Sequence, residues 1–317
     1  MCRSQQIGAF LIAGITLTAL SAASFAADFA LVVGVNACPR YTNDDGIAFP
    51  TLGGAEVGAD QIAHLLQHRF NFPEGNIRVL KGERADYETI KAEFVAVAKA
   101  ARPADQFVFY FAGHGTQLPD DPRCLPPFDE ADGWDEALCP SDALRRFKGH
   151  NLIVDDELAG WLAAVPARQI TVVLDCCHAG TAVKGDPGDN IKARYLAPVA
   201  ARSAARQVAK HPWGDLQSRG KGPGKTIIAL YACGPEQPAI ERRFPELQPQ
   251  SQRGQFTQFL VDAIADGKFT VAEIAAFAKR EIDKWAAESD SRRRAGEQSP
   301  AFEPLENANW PLFATKR

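Results

Sequence analysis

An α/β fold, with a mostly parallel central sheet of about six strands sandwiched between layers of helices, is what this sequence predicts, and three observations carry that expectation. Four short apolar runs, rich in β-branched and aromatic residues, are nearly continuous rather than alternating, as in strands buried on both faces. Other segments place apolar residues at three- and four-residue spacing, as in helices with one buried stripe. The two kinds alternate along the chain, which is the order of βαβ units.

In chain order, "DFALVVGVN" (28–36) reads as the first strand, and "GAEVGADQIAHLLQHRF" and "ADYETIKAEFVAVAKAA" read as the two helices that follow. "QFVFYFAG" (106–113) and "RQITVVLD" (168–175) are strands, separated by "DDELAGWLAAV", whose leading acids suit a helix N-terminus. "KTIIALYAC" (225–233) is the last apolar run. After it come two helical patterns, "GQFTQFLVDAIADG" and "TVAEIAAFAKREIDKWAAES", the second closing in a charged turn, "SDSRRRAGEQSP". No internal repeat is present.

Two insertions break the alternation. Residues 119–137 hold seven acids and one arginine, a charge of −6; residues 181–225 hold nine Lys or Arg and three Asp, a charge of +6. Both are long for ordinary connections, so each reads as a functional or cleavable loop, with a solvated loop as the alternative.

The chain has 317 residues and a net charge of −4 with both signs interspersed, which excludes the broad basic face that a nucleic-acid partner requires. Arg3, the apolar stretch "IGAFLIAGITLTAL" and the small residues "SAASFAAD" read as a secretory signal over residues 1–26, cut after about Ala26; an uncleaved anchor is the alternative. No later segment is apolar enough to span a membrane. Residues 28–315 are then expected to form one domain of an exported monomer, periplasmic or extracellular. Of the seven cysteines, Cys124 and Cys139 bracket a loop-like stretch and are a candidate disulfide in such a compartment.

The chemistry gathers at two strand ends. "FVFYFAG" runs into His114 and Gly115, and "TVVLD" runs into Cys176, Cys177 and His178. In an open parallel sheet ligands bind outside the carboxyl ends of the strands, so both groups are expected on one rim. A thiolate attacks carbonyls, and an imidazole beside it takes the proton and returns it to the leaving amine. Glycines at such turns let the backbone approach substrate, and their N–H groups can hold the oxyanion of acyl transfer. A zinc site made from Cys176, Cys177, His178 and His114 is the alternative, weakened because adjacent cysteines are poor co-ligands.

The segments "FYFAGHGTQ", "DGWDEALCPSDA", "IVDDELAGWL" and "LDCCHAG", in that order, with "YACGPEQPAIE" and "GQFTQFLVDAI" after them, resemble the caspase-like cysteine peptidases and, among these, the metacaspases. The resemblance covers nearly everything from Asp28 onward. It implies a caspase-like α/β/α sandwich and hydrolysis of peptides or proteins after Arg or Lys. By the same resemblance His114 is general base and acid, Cys177 the nucleophile, and Gly115 with the Cys177 backbone the oxyanion hole.

Asp175 matches the family's pocket acid, which would pair with a cationic substrate side chain. The second pocket acid does not match: its register gives Gly58, with Ala55 and Asp60 nearby, and the position two before the histidine is Ala112. No cofactor is required, but the resemblance implies calcium as an activator at Asp135, Asp155 and Asp156. The fourth acid of that site falls near Lys184, with Asp186 as a substitute; capping of the helix begun by "DELAGWL" is the alternative role for Asp155 and Asp156. The basic insertion sits where relatives carry a loop cut in maturation, which makes Lys192, Arg194, Arg202 and Arg206 candidate self-cleavage sites. A catalytically silent peptide binder and a same-fold peptidase of other specificity are the rival readings.

Overall fold

The computed structural model describes residues 27–42, 49–119, 134–144, 150–177, 191–196, 224–234, 237–247, 251–288, 292, 298–303 and 305–313. The expected signal segment, Cys124, His178, Lys184, Asp186, Arg202 and Arg206 lie outside these residues.

Among the described residues twelve strands and five α-helices follow one another. The central sheet holds β1 (Phe29–Gly34), β2 (Ile77–Lys81), β3 (Gln106–Ala112), β7 (Gln169–Asp175), β9 (Thr226–Tyr231) and β12 (Ala301–Glu303). Their order is β12-β9-β7-β3-β1-β2, parallel throughout except for antiparallel β12 at one edge. This is the six-stranded, mostly parallel sheet the sequence predicts.

Because side chains alternate across a strand, the continuous apolar runs feed two cores. Phe107, Phe109 and Phe111 point to one face, where Phe94 of α2 (Tyr87–Ala100) and Leu158 of α3 (Asp155–Ala164) cover them. Val108, Tyr110 and Ala112 point to the other, under α1 (Ala55–Phe70), α4 (Gln255–Ala265) and α5 (Val271–Ala286). Local signals fix the helix starts. Asp86 caps α2 by accepting the Thr89 N–H at 2.9 Å, and Thr270 with Glu273 makes a capping box on α5. Among the described residues no helix is long and apolar enough to cross a membrane.

Two small sheets flank the rim. One joins β4 (Gly115–Pro119), β5 (Trp134–Leu138) and β6 (Ile153–Val154); the other joins β11 (Gln252–Gly254), β10 (Ile240–Arg243) and β8 (Lys192–Ala193). Both insertions therefore carry structure. The acidic one begins at the last residue of β4 and ends within β5, and the basic one contributes β8. Asp155 and Asp156 are corrected as helix caps: Val154 holds the cap position of α3 without a side-chain bond, and the two acids occupy the first turn, where they complement the helix dipole. The Cys124–Cys139 bridge is also corrected, since Cys139 is a free thiol buried directly after β5.

Candidate active site

β3 and β7 are neighbours, paired in parallel from Gln106↔Gln169 to Ala112↔Asp175. Pairing ends where Gly113 donates its N–H to the Asp175 carbonyl at 3.4 Å. His114 and Cys177 each follow the last matched pair by two residues, so one register sets both on the carboxyl rim of the sheet.

A third segment enters between them. The carbonyl oxygen of Arg194 accepts the Gly115 N–H at 3.0 Å and the Cys177 N–H at 3.3 Å. Before it, β8 pairs antiparallel with β10, and the Arg194 N–H continues the ladder to the Ala239 carbonyl at 2.9 Å. After it, Tyr195 bridges to Gly115, whose carbonyl accepts the Leu196 N–H at 2.8 Å. The chain thus crosses the rim in an extended conformation with one carbonyl held by two amides.

The Arg194 side chain fills a closed pocket, 0% exposed. Its Nη1 lies 2.9 Å from Asp175 Oδ2 and donates to the Asp175 carbonyl at 2.9 Å, and its Nη2 lies 3.6 Å from Glu241 Oε2. Burial pushes the guanidinium pKa down, but Asp175 and then Glu241 more than offset this and hold it above its ordinary value. Asp175 is steadied by the Thr257 hydroxyl and N–H, and Thr257 in turn shares a 2.7 Å hydrogen bond with the Tyr110 hydroxyl. Glu241 accepts the Gly53 and Gly54 N–H groups at 2.7 and 2.9 Å, at the N-terminus of α1 where the helix dipole favours an anion. A Cβ on Gly254 would stand 2.3 Å from Asp175 Oδ2 and 2.7 Å from Arg194 Nη2, so only glycine leaves this wall open.

Glu241 is the pocket acid that sequence reasoning missed. Its signal was the final residue of "YACGPEQPAIE", noticed only as part of a resemblance. The expected position is physically closed, because a Cβ on Gly58 would lie 2.5 Å from the Tyr110 hydroxyl. Ala55 and Ala112 are buried in the core, and Asp60 turns outward to Lys81 at 2.7 Å. The second carboxylate is thus carried by β10 instead of α1.

The reactive pair is neutral in this closed arrangement. Burial raises the Cys177 thiol to about 12, although its Ala239 carbonyl contact and Arg194 act the other way; burial also lowers His114 to about 4. His114 Nε2 lies 3.2 Å from the Pro50 carbonyl, which can only accept, so Nε2 carries the hydrogen. That leaves Nδ1, buried with no hydrogen-bond partner, as the basic lone pair. Cys176 points to the opposite core from Cys177.

Asp135 stands on β5, which pairs with β6 immediately before Asp155 and Asp156. Among the described residues no group of three His, Cys, Asp or Glu side chains is gathered as a metal would require, and the remaining members of the expected calcium and zinc sets, Asp186 and His178, lie outside the described residues.

A thiol and an imidazole two residues beyond adjacent strand ends, with a carbonyl held by two amides between their segments, give this α/β sandwich the groups that acyl transfer by a thiol requires. Comparison with known proteins agrees: the caspase-domain family model matches residues 27–307, and the chain belongs to that family. Metacaspase-2 of Arabidopsis thaliana is 28% identical over 250 residues, 75% of this chain and 52% of its own length. Metacaspase-1A of Aspergillus oryzae is 31% identical over 162 residues, 49% of this chain and 35% of its own. The chain thus spans about half or less of these relatives. A crystal structure of a Geobacter sulfurreducens protein has a TM-score of 0.58 at 22% identity, covering 92% of this chain and 99% of that one, a likeness of fold.

Proposed function

We propose that this chain is a cysteine endopeptidase that cuts peptides or proteins after Arg or Lys, and that it cuts itself after Arg194. Arg194 carries this reading, because it sits as a substrate residue would: guanidinium against two carboxylates, carbonyl oxygen under two N–H groups. A structural ion pair accounts for the guanidinium alone. It gives no reason for the carbonyl to be held at the reactive strand ends.

In the proposed reaction the Cys177 sulfur attacks the Arg194 carbonyl carbon while its proton passes to His114 Nδ1. The oxygen becomes an anion between the Gly115 and Cys177 amides, donors of a kind each worth about 10²–10³ in rate. His114 then gives the proton to the Tyr195 nitrogen, the peptide bond breaks, and water, deprotonated by the same imidazole, hydrolyses the thioester. No step calls for a cofactor, and calcium enters none. The leader pattern in residues 1–26 supports action outside the cytoplasm.

The test is incubation of the purified wild type beside Cys177→Ala, followed by intact mass analysis. The proposal expects a fragment ending at Arg194 in the wild type only; identical fragments in both, or none in either, would sink self-cleavage. A peptide panel varied only before the cut tests specificity, and a preference for Asp or an aliphatic residue there rejects the basic pocket. Absence of a Cys177 adduct with an Arg-terminated electrophile would favour the silent binder.

A further inference from the structure

Both sides of the proposed cut are held, not only the side that carries the arginine. On the acyl side β8 pairs with β10, and the Arg194 N–H continues that ladder to Ala239. On the amine side Tyr195 bridges to Gly115 and packs against one main core, while the Leu196 N–H donates to the Gly115 carbonyl at 2.8 Å. The Leu196 side chain is 0% exposed and belongs to the other core, with Leu118, Leu138 and Cys139. Gly115 thus brackets the 194–195 bond, its N–H on the carbonyl before the cut and its carbonyl on the second N–H after it. A packing role for Leu196 accounts for the buried side chain alone, not for that bracket beside the thiol.

Such seating decides what a thioester meets. When the bond breaks, the anchored Tyr195 amine stays beside the carbonyl carbon it has just left, as a group of the same molecule instead of a solute. Water has the poorer access, with Cys177 0% and His114 3% exposed.

We infer that the chain has a second activity at this site, transpeptidation, in which the acyl group of the Cys177 thioester passes to a peptide amine whose second residue is aliphatic. This extends the peptidase reading and rests on it. The amine nitrogen attacks the thioester carbonyl carbon, the oxygen becomes an anion under the Gly115 and Cys177 amides, and the carbon–sulfur bond breaks. The amine gives one proton to His114 Nδ1, and the imidazole passes it to the departing sulfur, so that an amide and a thiol replace an amine and a thioester. This is the acylation step run backwards by the same groups. The amine is chosen through the residue after it, whose N–H takes the Gly115 carbonyl and whose side chain takes the place of Leu196.

The test adds to the full chain the hexapeptide Tyr-Leu-Ala-Pro-Val-Ala, a copy of residues 195–200, at about 10 mM, above the millimolar effective concentration of a tethered end. Intact mass under denaturing conditions separates fragments ending at Arg194 from fragments extended past Arg194 by the hexapeptide. The extended fragment is expected in the wild type and not in Cys177→Ala. Tyr-Asp-Ala-Pro-Val-Ala should give at least about tenfold less of it, since an acid there forfeits the burial of a leucine. In Leu196→Ala, whose own end is held less firmly, the extended share should rise, a gain that a merely weakened fold would not produce. Equal extension by the two peptides overturns the apolar choice of amine. Fragments ending only at Arg194, whichever peptide is present, overturn transpeptidation and leave the peptidase reading intact. An uncut chain that also forms no Cys177 adduct with the Arg-terminated electrophile overturns the reading and this activity together.

Discussion

The two walls of the cleft are built differently. The reactive wall stands on β3 and β7, seven-residue strands at the centre of the main sheet, buried on both faces. The selecting wall stands on β10 and β11, strands of four and three residues in a small sheet outside it, with Gly254 leading into α4. The first positions atoms through a rigid register, as acyl transfer needs. The second offers the edge of β10, filled here by β8, and the Glu241 carboxylate to an extended chain, as recognition needs. Chemistry and choice can therefore be damaged separately.

The largest expected effect lies on the reactive wall. Cys177→Ala should abolish self-cleavage and peptide hydrolysis, by at least about 10⁴-fold, while leaving the Arg194 segment seated. Retained cutting in that variant would mean that the nucleophile lies elsewhere. Next is the pocket. Asp175→Asn leaves a desolvated guanidinium facing one distant acid and should lower kcat/KM for Arg peptides by about 10²–10³, with a citrulline peptide little changed. Glu241→Gln, whose partner oxygen is at 3.6 Å, should cost about tenfold on the same ratio. If the two variants are equal, or if the citrulline peptide falls as far, the walls are not separable as described.

This division also explains what was legible in the sequence. β1, β3, β7 and β9 are long apolar runs, and α1 to α5 have clear helical spacing, so fold class and strand ends follow from pattern alone. Those strand ends carry His114, Cys177 and Asp175 to one rim. β8, β10 and β11 have two to four residues each, too short for a period to register. Glu241 was invisible for that reason, and Gly58 misled because its closure by Tyr110 is a contact between elements distant in sequence. Arg194 could be nominated among four basic residues, but only the pocket distinguishes it.

The smallest effect concerns stability and tests whether the reactive wall is as tightly packed as its register implies. His114 is held down to about 4 by burial, against an ordinary 6.5, so between those values the unfolded chain binds a proton that the folded chain refuses. Stability from this group is complete above pH 6.5 and declines as pH falls toward 4; at pH 5 the loss is about 2 kcal/mol. His114→Gln cannot take up that proton, so its denaturation midpoint should fall less between pH 7.5 and pH 5 than that of the wild type, both on the Cys177→Ala background to keep the chain intact. Parallel pH profiles for the two proteins would mean that water reaches the imidazole in the folded state. The reactive wall would then be no better sealed than the selecting one.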